Sequence, residues 1–152
     1  MKPFRFSLQA VLTIRQNQER KALEAFALAQ RALAEAEARL QAIRNEIDEL
    51  HGVRRDVFVR SVSSESLQVM QHGLRALQNR IPAAQEQVEK ARGVAVQRSG
   101  ELLEARKQRE VVEKLYDKRR AAHAVDAGRA EQKALDEFAS YKSAGGLAMK
   151  WQ

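Results

Sequence analysis

Apolar residues recur along this chain at alternating spacings of four and three. From Leu8 the steps fall on Leu8, Leu12, Arg15, Glu19, Ala22, Phe26, Ala29, Leu33, Ala36, Leu40, Ile43, Ile47, Leu50, Arg54 and Val57, of which twelve of fifteen are apolar. A second track runs Leu67, Met70, Leu74, Leu77, Ile81, Ala84, Val88, Ala91, Ala95, Arg98, Leu102, Ala105, Arg109, Val112 and Tyr116, with thirteen of fifteen apolar. A period near 3.5 sustained for about seven heptads is the pattern of a coiled-coil seam rather than of a globular helix face. Past Tyr116 the same steps land on Arg119, His123, Asp126, Ala130, Lys133 and Glu137, and the stripe gives out. The only β-branched run, Val57, Phe58 and Val59, lies between the tracks and predicts no strand.

The pattern predicts an all-α chain, a long antiparallel two-helix coiled-coil hairpin forming one domain over residues 1–152. Ser7 is positioned as N-cap of a first helix over about 7–57. The polar, serine-rich residues 60–66 place a turn at about 58–64, with Ser63 or Ser64 capping a second helix over about 65–142. Pro82 removes a backbone donor inside that helix, so a kink or two abutting helices are expected near it. Gly145 and Gly146 are expected to stop the helix, leaving a flexible tail over 143–152.

The two tracks differ in length. At about 1.5 Å per residue the helices span roughly 75 and 115 Å. Folding the chain near residue 62 sets Leu8 opposite roughly Arg119 and leaves residues 123–141 overhanging. The apolar stripe decays at nearly the same place, so length and pattern agree that this end lacks an intrachain partner.

Composition adds four constraints. Ala, Glu, Lys, Leu, Arg and Gln dominate, with two prolines, as expected of long helices. Several seam positions are Ala, which predicts a pliable hairpin, because Leu-to-Ala changes in cores cost roughly 2–5 kcal/mol. There is no cysteine, which excludes a disulfide framework and cysteine-ligated metal. The basic N-terminus has no uninterrupted apolar h-region and is not expected to act as a secretory signal, and no stretch approaches the roughly 20 apolar residues that span a bilayer.

The net charge of +7 admits an acidic protein, an anionic lipid or a nucleic acid as partner. Cations gather at Arg106, Lys107, Arg109, Lys114, Lys118, Arg119 and Arg120, interleaved with Glu104, Glu110, Glu113 and Asp117, which a solvated face of mixed charge would explain. No aromatics are interleaved there to stack bases, which argues against nucleic acid. Catalytic constellations are missing: no phosphate-binding glycine loop occurs, and His51, His72 and His123 have no metal-ligand spacing. Fold-back near residue 62 would bring His51 and His72 together as surface residues. The chain is therefore expected to be no enzyme, with no catalytic residue, no cofactor, no metal and no small-molecule substrate.

The overhang carries the most distinctive segment, Arg129, Ala130, Glu131, Gln132, Lys133, Ala134, Leu135, Asp136, Glu137, Phe138, Ala139. Leu135, Phe138 and Ala139 share a helix face, as do Ala134 and Phe138, with charges elsewhere. An apolar strip ringed by charge suits insertion into a protein groove or channel. This segment resembles the C-terminal signature of the FliJ family of flagellar type III export proteins, in which a basic residue, an acidic-Gln-Lys triplet and Asp-Glu-Phe-Ala recur in this order. The N-terminus resembles the same family through Phe4, Phe6 and Leu8, then Val11, Leu12, Arg15 and Glu19. The two terminal motifs enclose the heptad body and so cover essentially the whole chain, while residues 41–108 match only as coiled coil.

The resemblance implies a coiled-coil stalk similar in form to the gamma subunit of rotary ATP synthases. It implies docking into the flagellar export ATPase hexamer through the end bearing the termini, contact with the membrane export-gate protein, and escort of export chaperones. Carried over residue by residue, the ring-facing set is Phe4, Phe6, Arg129, Glu131, Gln132, Lys133, Asp136, Glu137 and Phe138. The gate-facing surface of the family lies towards the turn, where Ile43, Leu50 and Leu77 keep apolar character and also fit the intrachain seam. A cytoplasmic location, peripheral to the inner membrane at the flagellar base, follows from the same resemblance. The corresponding stalk of a type III injectisome, a basic coiled coil on nucleic acid or anionic membrane, and a self-associating coiled coil are the alternatives.

Overall fold

The computed structural model describes residues 3–59 and 63–148. The chain forms two helices, α1 (Gln9–Val59, 51 residues) and α2 (Ser64–Ala148, 85 residues), packed against each other as a helical hairpin. Among the described residues there is no strand. Residues 60–62 of the expected turn lie outside the described residues, as do residues 149–152 of the expected tail.

The seam follows the two heptad tracks. In the first track only Arg54 is exposed, and in the second every position from Leu67 to Tyr116 is buried or half-buried. Further along, Asp126, Ala130, Lys133 and Glu137 are exposed. The tracks hold where seam residues are polar: Arg15, Glu19, Arg98 and Arg109 are half-buried, as long side chains with aliphatic stems can be at an interface.

Contacts divide the chain into two compact units, Met1–Asn17 with Arg106–Gln152, and Gln18–Ala105. The longer unit is held by Ala36, Leu40 and Val88, with Leu33, Ile81, Ala84 and Ala91 packed around them. Its helices run antiparallel: Leu50 meets Gly73, whereas Glu37, earlier in α1, pairs with Arg92, later in α2, at 3.6 Å. Ala29, Ile43, Ala95 and Leu102 are also buried, but no side chain is less than 2% exposed. Fully burying a Val, Leu or Ile contributes about 1.5–3 kcal/mol. An interface that alternates such residues with Ala, and never quite excludes water, holds its helices with less than that per layer.

Helix ends depart from the sequence expectation in two places. Ser7 does not cap α1: the Leu8 carbonyl accepts from the Leu12 amide, and the Ser7 hydroxyl accepts a hydrogen bond from Arg119 at 2.8 Å instead. At α2 the cap is Ser63, one of the two serines expected there, whose hydroxyl accepts from the Ser66 amide at 3.4 Å. The helix then continues through Gly145 and Gly146 to Ala148. Two glycines cost about 1 kcal/mol each, yet propagating an existing helix is far cheaper than nucleating one, and no proline follows to end it.

Pro82 does not divide α2, which is assigned as one helix across it. Pro82 is exposed, so the Gln78 carbonyl that loses its helical donor faces water. Ile81 and Ala84 on either side stay packed on the core.

Acid is expected to weaken the longer unit slightly. Lys90, by its hydrogen bond and charge, holds the Glu86 carboxyl below its usual range, and hydrogen bonds from Arg98 and Gln97 do the same for Glu101. A carboxyl depressed in the folded state stabilises above its unfolded value, and that stability is lost as pH falls through the folded one. Urea midpoints measured at stepped pH should hold above about pH 4.5 and decline below it, by less in a Glu86→Gln, Glu101→Gln double variant.

Candidate functional site: the unit bearing the termini

The N-terminal lead into α1 folds against α2 through its aromatic residues. Phe6 is buried at 8% exposure, edge-on to Tyr116 with ring centroids 5.1 Å apart. Phe4 lies 5.7 Å from the Tyr116 ring and 5.4 Å from His123. The Arg119 guanidinium stands 5.7 Å above the Phe6 ring while donating to Ser7. Below them Leu12 is buried, and Arg15 donates to Gln108 at 2.6 Å. Phe4 and Phe6, expected at the ring-facing end, thus stand in the terminal unit with rings packed inward on α2. Periodicity could not have shown this, because residues 3–6 precede the helix.

Every residue from 128 to 143 is exposed. Leu135 is 64% exposed, Phe138 71% and Tyr141 82%, spaced by three along one side of α2. The polar residues of the same segment engage one another on the other side. Gln132 donates to Asp136 at 3.1 Å, and Lys133 lies 4.0 Å from Glu137, both at i,i+4 spacing. Such pairs each add about 0.2–0.5 kcal/mol to a helix that has little else to hold it. Arg129 and Glu131 are exposed and complete the set. Tyr141 is a member of the apolar strip that the sequence reading left out, although its spacing of three from Phe138 would have identified it.

The turn-end set lies elsewhere, in the longer unit. Ile43 is 7% exposed, Leu50 touches the position a Cβ on Gly73 would occupy, and Leu77 is half-buried, so all three lie in the seam. Among the described residues no cluster of three or more His, Cys, Asp or Glu is arranged to hold a metal, and no helix is long and apolar enough to cross a membrane.

A two-helix antiparallel coiled coil with an exposed apolar strip near the end of its longer helix is the class of protein these features define. The family described as the flagellar FliJ protein matches residues 4–146, and the chain belongs to that family. It is a component of type III protein export, and its family is a non-catalytic one. A solved structure of a Chlamydia trachomatis protein described as a YscO homologue is similar across 97% of this chain and 100% of that one, at 18% identity and a TM-score of 0.49. No match was found among curated proteins.

Proposed function

We propose that this chain is a non-enzymatic coupling component of the flagellar export apparatus that docks into the export ATPase ring through its termini-bearing unit. The observation that carries this reading is the exposed strip Leu135, Phe138 and Tyr141, on helix that continues past the last aromatic contact with the N-terminus. Exposed large aromatics on a regular helix are anchors in search of a groove. The i,i+4 pairs on the opposite side keep that helix formed while it waits for one.

In this role the ring-contacting residues are Phe138 with Leu135 and Tyr141, flanked by Arg129, Glu131, Gln132, Lys133, Asp136 and Glu137. Phe4 and Phe6 serve by fastening the N-terminal segment to α2. The turn end would face the membrane export gate, linking ATP hydrolysis to it, and the chain would take part in escorting export chaperones. Because Ile43, Leu50 and Leu77 lie in the seam, a gate contact would use them by supporting outer positions rather than by direct touch. The reading also places the protein in the cytoplasm, peripheral to the inner membrane at the flagellar base.

The test is removal of residues 127–152. The truncated chain should keep the paired region folded and lose its stimulation of the cognate export ATPase. The single change Phe138→Ala should weaken binding about thirtyfold, the ~2 kcal/mol of an anchoring aromatic. Undiminished stimulation by the truncated chain rules out ring docking through this end.

A further inference from the structure

The positive charge of the chain is segregated. Residues 18–105 carry 13 Lys and Arg against 13 Asp and Glu, whereas residues 1–17 and 106–152 together carry 14 against 7, so the whole +7 belongs to the termini-bearing unit. Within that unit the cations and anions of α2 separate further. Lys107, Val111, Lys114, Lys118, Val125 and Arg129 follow one another at steps of four, three, four, seven and four. At about 100° per residue they lie within about 40° of a single line along the helix. All six are exposed, Val111 at 69% and Val125 at 54%. No acidic residue falls on that line between 107 and 129.

Of the acidic residues nearby, Asp117 and Asp126 lie about 80–100° around the helix from that line, and Glu110 and Glu113 are engaged elsewhere. Glu110 and Glu113 both turn to the seam residue Arg109. Glu110 precedes Lys114 by four, the favourable order for a helix pair, yet that pair is not formed. Lys107, Lys114, Lys118 and Arg129 take part in no ion pair among the described residues. Lys114 and Lys118 are themselves four apart, a like-charge spacing that disfavours the helix. Val is also a poorer helix former than Ala, and on an exposed face no packing offsets that. Single exposed valines are ordinary, but here they lie between aligned, unneutralised cations.

We infer that this stripe is a docking surface for an acidic protein surface bearing small apolar sites, separate from the Leu135, Phe138 and Tyr141 strip, which lies on a different side of α2. The inference rests on the ring-docking reading, which makes the partner the wall of the export ATPase ring. The lysines would meet its carboxylates and the valines would fill shallow hollows between them. A lipid surface fits less well, because interfacial helices bury Trp, Phe or Leu rather than isolated valines.

The experiment measures affinity of the full chain for the cognate export ATPase at salt from about 50 to 500 mM, since exposed pairs are screened over this range. Variants are Lys107→Glu, Lys114→Glu, Lys118→Glu combined, the same three positions changed to Gln, and Phe138→Ala. Far-UV circular dichroism checks that helix content is kept. The triple Glu variant should bind at least about tenfold more weakly at low salt, the Gln variant by an intermediate factor, and both should lose most of the salt dependence. Phe138→Ala should weaken binding at every salt and leave its salt dependence in place. Wild-type affinity in the triple Glu variant overturns the stripe while leaving ring docking standing. Absence of ATPase binding by the unaltered chain overturns both. Binding to phosphatidylglycerol vesicles that the triple Glu change abolishes, with ATPase binding untouched, overturns the protein partner in favour of a lipid surface.

Discussion

Val88→Asp lowers the unfolding free energy of the chain by about 3–5 kcal/mol, the range expected for an uncompensated buried charge. Val88 is 5% exposed and sits between Ala36 and Leu40 at the centre of the longer unit. A carboxylate there loses hydration in a core that holds no buried polar residue among the described ones. Helix separation can relieve the charge only by exposing Leu33, Ile81 and Ala84 as well. Urea unfolding followed by far-UV circular dichroism provides the measurement. The control is Val96→Asp, at 68% exposure, which should change stability by no more than about 0.5 kcal/mol. Equal losses in the two variants would mean that the heptad track does not mark the interface.

Phe6→Ala has the second largest effect and a more local one. The change removes a side chain that is 8% exposed, its edge-to-face contact with Tyr116 and the platform beneath Arg119. Phe-to-Ala changes in cores cost about 3–5 kcal/mol, and an aromatic pair supplies about 0.5–1.5 of such a loss. The expected cost is about 3 kcal/mol, at the low end, because the neighbouring Phe4 and Tyr116 rings are only half-buried and can close over part of the gap. Hydrogen exchange should accelerate for amides of residues 9–17 and 106–123 while those around Ala36, Leu40 and Val88 keep their protection. Unchanged exchange in 9–17 would show that Phe6 does not fasten the N-terminal segment.

The sequence revealed the seam because a buried stripe must recur at the helical period, and it recurred even where the residue was polar. Arg98 and Arg109 interrupt the apolar pattern yet remain half-buried in phase with it. The end of the stripe was legible for the same reason: Asp126, Lys133 and Glu137 fall where a seam residue would be, and all are exposed. The aromatic fastening of Phe4 and Phe6 was not legible. It forms between a segment without helical period and a helix more than a hundred residues later, so no local pattern marks it. Charge segregation stood in the sequence but needed the structure to separate it, since the interleaved Glu110 and Glu113 look like partners of the lysines until they are seen on Arg109. Helix limits at Ser7 and Gly145 were misjudged because a side chain suited to a cap can find a better partner in Arg119, and because glycine weakens a helix without always ending it.

The Arg15 to Gln108 hydrogen bond has a consequence for alignment. Apolar layers rich in Ala are nearly interchangeable, so sliding one helix past the other by a heptad would cost them little. A polar pair within the interface is specific to one alignment, in the way a single polar seam residue fixes coiled-coil register. Slipping by seven residues would break that pair and shift the C-terminal anchor by about 10 Å along the axis. A contact within the paired region thereby sets the reach of the anchor, and a change at Arg15 or Gln108 could mis-set that distance with Phe138 itself untouched.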